Sequence, residues 1–359
     1  MSSNNYNSLH GGKRPASSRT VLLVVLFLII AIAGLTYVKW WPYYFKALKA
    51  AAEHSLGASI LTGDQGTAPA PSLQSAWDYG MVYFKSVWKA AVLGILLGSL
   101  VQVLLPSRWL LKTLGKMNFK STALGGVASL PGMMCSCCAA PIAVGLRKKN
   151  VSIGASLAFW IGNPVLNPAT LIFMTFVLSW KFTLLRVVFG IILTFAVSYF
   201  ANRFAGTTQV PDEVEEVVNQ PEEPQGSFLT LWLKNMGTML LTIVPAYFVT
   251  VLLLGAARAW MFPVLGAGSM NAVLAVIIFA VAGTLFVIPT AAEIPIIATF
   301  LSLGFGGGVA GALLITLPAV SLPSVMMVSR AFPRKVIWFV LGSVVLSGLL
   351  CGAIGAVVI

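Results

Sequence analysis

The chain has 359 residues, of which 58% are hydrophobic and only 9% charged, with a mean hydropathy of +0.91. Soluble domains carry about 25% charged residues, so most of this chain belongs in a solvent that penalises charge, and a soluble globular protein is excluded. The net charge of +13 does not point to nucleic acid, because the basic residues fall in short clusters between apolar runs, as the positive-inside rule expects.

Residues 1–19 are polar and read as a cytoplasmic disordered tail. Thr20–Val38 lacks a small-residue cleavage site and reads as a retained first transmembrane helix within 20–41. An outer loop, 42–76, follows, with Tyr43–Ala52 placed amphipathically on the membrane. Further apolar runs fall at roughly 80–105, 121–146, 151–179, 182–201, 228–255, 271–303, 308–329 and 336–358. The runs at 121–146 and 271–303 are broken by proline near the middle and rich in small residues. Lipid cannot satisfy such backbone, so both are expected as re-entrant hairpins enclosed by other helices. The fold class is therefore an all-α polytopic membrane protein with about seven full spans plus two re-entrant hairpins.

Lysine and arginine orient this arrangement. With the N-terminus in the cytoplasm, fourteen of the twenty-three basic residues collect on that side and five (Lys39, Lys46, Lys49, Lys181, Arg258) lie outside. A full crossing by 121–146 would put Arg147, Lys148 and Lys149 outside, against the bias. The expected site is a bacterial cytoplasmic (inner) membrane, with the C-terminus outside.

A weak internal repeat supports two halves, 77–203 and 228–359. At an offset of 154 residues, Pro141 meets Pro295, Gly154 meets Gly308, Ala158 meets Ala312 and Pro164 meets Pro318. Each half holds three spans and one hairpin, and an odd number of spans makes the repeats inverted in topology. Inverted repeats with broken helices are a layout of secondary transporters. The acidic segment between the halves, 204–227, reads as a cytoplasmic linker.

Few residues are left for chemistry. Glu293 is the only acidic residue inside a predicted membrane segment, where a carboxylate costs about 3 kcal/mol. Such a group couples or gates, together with Pro141 and Pro295 at the hairpins, or else it pairs with Lys85, Lys89 or Lys234. In "PGMMCSCCAAPIAVGLRKKN" the thiols of Cys135, Cys137 and Cys138 occupy four positions beside Pro141. An ideal helix puts Cys135 and Cys138 on one face, with Cys137 pointing away. A non-helical turn brings all three together as soft ligands for a thiophilic solute or metalloid. The alternative is that they merely pack, as is expected for Cys351. Asn163 and Asn167 each precede a proline in "WIGNPVLNPAT", where a kinked helix is expected to line a path. Gly94 and Gly98 stand at the GxxxG spacing of a close helix-packing face. No phosphate-binding loop motif occurs, and His10 and His54 lie in tail and loop. A non-enzyme without a cofactor is expected.

The Cys-Ser-Cys step, "APIAVGLRKKNVSIGASLAF", the "NPVLNPAT" kink and "EIPI" in the second half together resemble the ArsP-like family of predicted permeases. The resemblance runs from about Trp77 to the C-terminus, apart from the linker. It implies efflux of trivalent arsenicals, with Cys135 and Cys137 matching the family's paired motif cysteines. Cys138 stands where the resemblance implies a small residue such as glycine, which implies altered ligand geometry or a different substrate.

The reading is a gradient-driven permease exporting a thiophilic solute, with trivalent arsenicals or related metalloid compounds first. Two alternatives stay open. One is a transporter of another solute, such as a sulfur species or an anion drawn to a basic cytoplasmic mouth. The other is a membrane thiol-redox protein. Expected partners are the lipid bilayer and a small-molecule or metalloid substrate, with a homo-oligomer left open and no nucleic acid.

Overall fold

A computed structural model describes residues 18–62, 69–204, 228–262 and 271–359. The expected disordered tail, apart from its last two residues, and the acidic linker lie outside the described residues. Among the described residues seven helices are long and apolar enough to cross a membrane, so the fold is the all-helical multi-pass protein that the composition requires.

The first span is α1 (Ser18–Leu35), which continues through a π-helical stretch, Thr36–Trp40, into α2 (Trp41–Glu53). The amphipathic segment expected on the membrane surface is thus a continuation of the first helix. Its exposed side carries Trp41, Tyr44, Phe45 and Leu48, whereas Lys39 is buried and Tyr43 and Lys46 are partly covered. The second span is α3 (Leu73–Leu104), started by Ser72, whose side chain accepts from the Ser75 amide at 3.0 Å. After α4 (Ser107–Leu114), the first broken run forms α5 (Phe119–Ser129) and α6 (Ser136–Lys148). At 1.5 Å per residue these reach ~17 and ~20 Å, short of the ~30 Å hydrocarbon core. Between them Leu130–Gly132 forms a single 3₁₀ turn and Met133 adopts a left-handed φ of 48°.

The Asn-Pro run gives α7 (Ile153–Val165) and α8 (Pro168–Val177), with a break at Leu166–Asn167. Then α9 (Trp180–Ile191), a π-helical stretch (Ile192–Val197) and α10 (Ser198–Phe204) complete a fourth span. The second half begins with α11 (Phe228–Met261). Its broken run forms α12 (Ala272–Leu285) and α13 (Glu293–Ser302), joined by an extended turn in which Ala291 has φ 69°. It closes with α14 (Gly307–Ala319), α15 (Leu322–Val328) and α16 (Arg334–Val358).

Element boundaries recur at the offset of the sequence match. Both ends of α7 and α14 differ by 154 residues, as do the starts of α9 and α16. The N-caps of α8 and α15, Asn167 and Ser321, keep the same spacing.

The GxxxG face has a specific partner. A methyl group on Gly94 would lie 2.3 Å from the Cys138 carbonyl oxygen, and one on Gly98 would lie 2.6 Å from that of Pro141. The cysteine helix α6 is therefore laid backbone-to-backbone on α3, which small residues permit. Cys351 is fully buried on α16, where its carbonyl oxygen is 2.6 Å from the methyl position of Gly311. Its role is packing.

This contact makes a prediction. Gly98→Ala lowers the melting temperature of the detergent-purified protein or abolishes folded yield, since backbone cannot retreat as a side chain does. Gly237→Ala and Gly342→Ala, which would meet nothing within 4 Å, leave it unchanged or higher, because alanine favours helix by about 1 kcal/mol over glycine. Equal behaviour of the three variants would remove the packing argument.

Candidate functional site

Proline removes the amide that would bond the carbonyl four residues earlier. Pro168 thus orphans the Pro164 carbonyl, and Pro318 orphans that of Leu314. Asn167 Oδ1 accepts from the Ala169 and Thr170 amides at 3.1 and 3.3 Å. Capping α8 in this way takes up the Ala169 N–H that would have served Val165. All three carbonyls find one donor group. Arg186, on α9 and fully buried, donates from Nη2 to Pro164 O at 2.8 Å, from Nε to Val165 O at 2.8 Å and from Nη1 to Leu314 O at 3.0 Å. Its Nη2 also bonds Glu293 Oε1 at 2.9 Å.

Glu293 is therefore paired with Arg186, not with Lys85, Lys89 or Lys234. The sequence reading passed over Arg186, although an arginine inside the apolar run "KFTLLRVVFGIIL" is as anomalous as a carboxylate.

The two turns meet. Cys135, Ser136 and Pro164 line one side of a void of about 10 Å³, and Ile288–Ala291, Glu293, Leu317 and Pro318 line the other. Each turn is tied to distant helices through its carbonyls. Trp40 Nε1 donates to Pro131 O at 2.8 Å, Trp160 Nε1 to Ser136 O at 3.0 Å, and the Tyr79 hydroxyl to Val287 O.

The thiols do not converge as a trio. Cys135 is the N-cap of α6, so Cys137 and Cys138 already sit in its first helical turn. Cys135 and Cys138 share a face with sulfurs 3.0 Å apart, while Cys137 turns toward Ser321 Oγ at 3.1 Å. Helical periodicity outweighs the proline-bracketed turn. Among the described residues no group of three His, Cys, Asp or Glu side chains is placed to hold a metal ion, so the three-thiol ligand set gives way to a pair. Around Cys137 lies a hydroxyl cluster. Ser321 Oγ is 3.1 Å from both Ser136 Oγ and Ser324 Oγ, and the Tyr83 and Tyr247 hydroxyls, 2.5 Å from each other, lie beside the thiol. These serines and tyrosines carry no spacing signal and escaped the sequence reading.

Asn163 and Asn167, expected to line a route, are fully buried; Asn163 and the Asn167 Oδ1 bond backbone, while the buried Asn167 Nδ2 has no partner among the described residues. Asn163 accepts from the Met134 amide at 3.4 Å and donates to Phe159 O at 2.9 Å, bracing the cysteine turn, while Asn167 caps α8. Pro141 sits inside α6 against Gly98. Pro295, in the first turn of α13, faces a larger cavity.

That cavity has a volume of about 740 Å³ and lies between the first helix, α3 and the second turn. Its lining includes Lys39, Tyr43, Lys46, Asp78, Arg258 and Pro289–Ala292. Residues 289–291 line both this cavity and the small void, so they form a partition between the two.

The family model described as "Predicted permease" matches residues 83–357. The chain belongs to the ArsP-like predicted permease family. It is 50% identical over 332 residues to UPF0718 protein YraQ of Escherichia coli K12, covering 92% of this chain and 93% of that protein. It is 22% identical over 299 residues to UPF0718 protein MJ0584 of Methanocaldococcus jannaschii, covering 65% and 82% respectively. No solved structure matches it significantly. The four buried donations of Arg186 lie within the span matched to this family of predicted permeases.

Removing one partner from a buried ion pair costs about 3–5 kcal/mol, and each orphaned buried carbonyl about 1–3 kcal/mol more. Arg186→Met therefore destabilises more than Glu293→Gln, which leaves the arginine its three carbonyls. The double variant stays close to Arg186→Met. Thermal unfolding of the purified proteins checks the order, and a Glu293→Gln variant less stable than Arg186→Met would overturn it.

Proposed function

We propose that this permease exports a thiophilic small solute from the cytoplasm of a bacterium across its inner membrane, with trivalent arsenicals or related metalloid compounds as the first candidates. The observation that carries the reading is the pair of thiols 3.0 Å apart, of which Cys135 lines the void where the two turns meet. A trivalent arsenical hydroxide ligates there by exchange. Each S–As bond forms as a hydroxide leaves with the thiol proton as water, so a dithiol captures the arsenic and releases two waters. Cys138, where the family resemblance implies a small residue, is the partner of Cys135. Ligation in this protein therefore uses positions 135 and 138, and Cys137 serves the hydroxyl cluster.

In this reading the broken runs are re-entrant hairpins carried by two inverted halves, with the N-terminus cytoplasmic and the C-terminus outside. The shared offset of helix ends supports a repeat, and the excess of lysine and arginine on one side supports the orientation. The void holds at most a water, so transport requires the turns to part. The Arg186–Glu293 bond is the latch that a driving gradient must release.

A second reading has its own support. Cys135 and Cys138 form a C-x-x-C pair at a helix N-terminus, the arrangement of thiol-redox proteins. Such a pair would pass two electrons and two protons to a partner disulfide while closing its own.

In cells whose arsenical resistance depends on this protein, Cys135→Ser and Cys138→Ser each raise sensitivity to trivalent arsenicals at least tenfold, and Cys351→Ser changes nothing. Arsenical-stimulated efflux from loaded vesicles checks the same order. Full resistance in both variants would end the proposal, and a mixed disulfide between Cys135 and a thioredoxin-like protein in Cys138→Ser cells would favour redox transfer.

A further inference from the structure

We infer that the cavity of about 740 Å³ beside the second turn is a binding site for a small anion bearing an oxyanion head group. Three cations line it, Lys39, Lys46 and Arg258, against one carboxylate, Asp78, which already accepts from Gln74 Nε2 at 2.8 Å. Lys39 is 4% exposed and Arg258 6% exposed. Neither forms an ion pair among the described residues, where Lys49 with Glu53 and Arg186 with Glu293 are paired. Lys39 Nζ instead contacts neutral oxygens, Tyr43 Oη at 3.0 Å and Thr290 Oγ1 at 3.3 Å. Arg258 bonds Ile60 O at 3.4 Å and Ser75 Oγ at 3.2 Å and lies over the Tyr79 ring, and its buried Nε has no partner.

Burial of a cation is unfavourable unless a counter-charge meets it. Two such cations converge on a space that opens past the exposed Asp78 and Ser86, and together they favour negative charge there. The unused arginine N–H adds a directional donor for an anionic oxygen. Lys39 also contacts Thr290 in the partition that lines the cysteine void. An anion held by Lys39 thus sits one turn of chain away from the thiols. The site does not depend on thiol ligation.

The experiment is equilibrium binding of radiolabelled sulfate, and separately of succinate, to the full-length protein in nanodiscs. Saturable binding of at least one is expected, with sulfate indicating an inorganic oxyanion and succinate an organic carboxylate. Affinity falls tenfold or more in Lys39→Gln and Arg258→Gln. It is unchanged in Lys49→Gln, on the exposed side of α2, and in Cys135→Ser, so failure of the thiol reading leaves this result standing. Asp78→Asn, which removes the lining carboxylate, tightens binding several-fold, a gain that misfolding cannot imitate. Absence of saturable binding by both anions, or Asp78→Asn binding no tighter than the parent, would overturn the assignment.

Discussion

Backbone carbonyls inside a membrane need donors that lipid does not have, and this protein interrupts its central helices with proline. The carbonyls of Pro164, Val165 and Leu314 lose their helical donors at the same depth, and the guanidinium of Arg186 replaces all three. Placing an arginine at mid-membrane costs about 3 kcal/mol on insertion scales. Each buried carbonyl left without a donor costs about 1–3 kcal/mol, so three of them match or exceed that penalty before the bond to Glu293 is added. The arginine fits here because the helices are broken here. Lysine could not take its place, because a point charge lacks the planar fork that reaches three carbonyls on two segments and a carboxylate as well.

The same logic governs the turns. Local amides serve Cys135 O and Pro289 O, and distant polar side chains supply further donors to each broken run. The indoles of Trp40 and Trp160 serve the first turn and the Tyr79 hydroxyl serves the second. Asn163 supplies an acceptor for the Met134 amide. Each of these residues belongs to a different helix from the turn it serves, so the position of each turn reports the packing of the surrounding spans. Left-handed φ values at Met133 and Ala291 add strain of about 1–3 kcal/mol apiece. Strained backbone held by a few long-range bonds can exchange between two arrangements more readily than a continuous helix can.

The spans were legible in the sequence because apolar length is a property of contiguous residues, and the two broken runs because proline and glycine announce themselves. The anomaly of Glu293 was visible for the same reason, whereas Asn167, read as lining a path, caps a helix instead. What escaped depends on separation in the chain. Arg186 lies 107 residues from Glu293, and Ser321 lies 184 from Cys137, and no local pattern connects such pairs. The burial of Lys39 escaped as well, because the helix continues past the end of the apolar run and turns the lysine inward. The three thiols were read as convergent because prolines bracket them. The helix begins one residue after Cys135, however, and a helical turn separates neighbours by about 100°.

Closure at the centre and openness beside it are two halves of one arrangement. Cys135 and Glu293 meet across a void that admits at most a water, whereas the adjoining cavity is wide and carries excess positive charge. Only residues 289–291, with Thr290 bonded to Lys39, stand between them. The groups that hold this segment are few. They are the Tyr79 hydroxyl on Val287 O, the Lys39 ammonium on Thr290 and the Arg186 guanidinium on Glu293. Two of these holds are cationic. An anion bound at the proposed site competes with Thr290 for Lys39, whereas the Arg186 hold is anchored by three carbonyls. The partition thus has one contact open to competition from the cavity and one fixed by the surrounding helices.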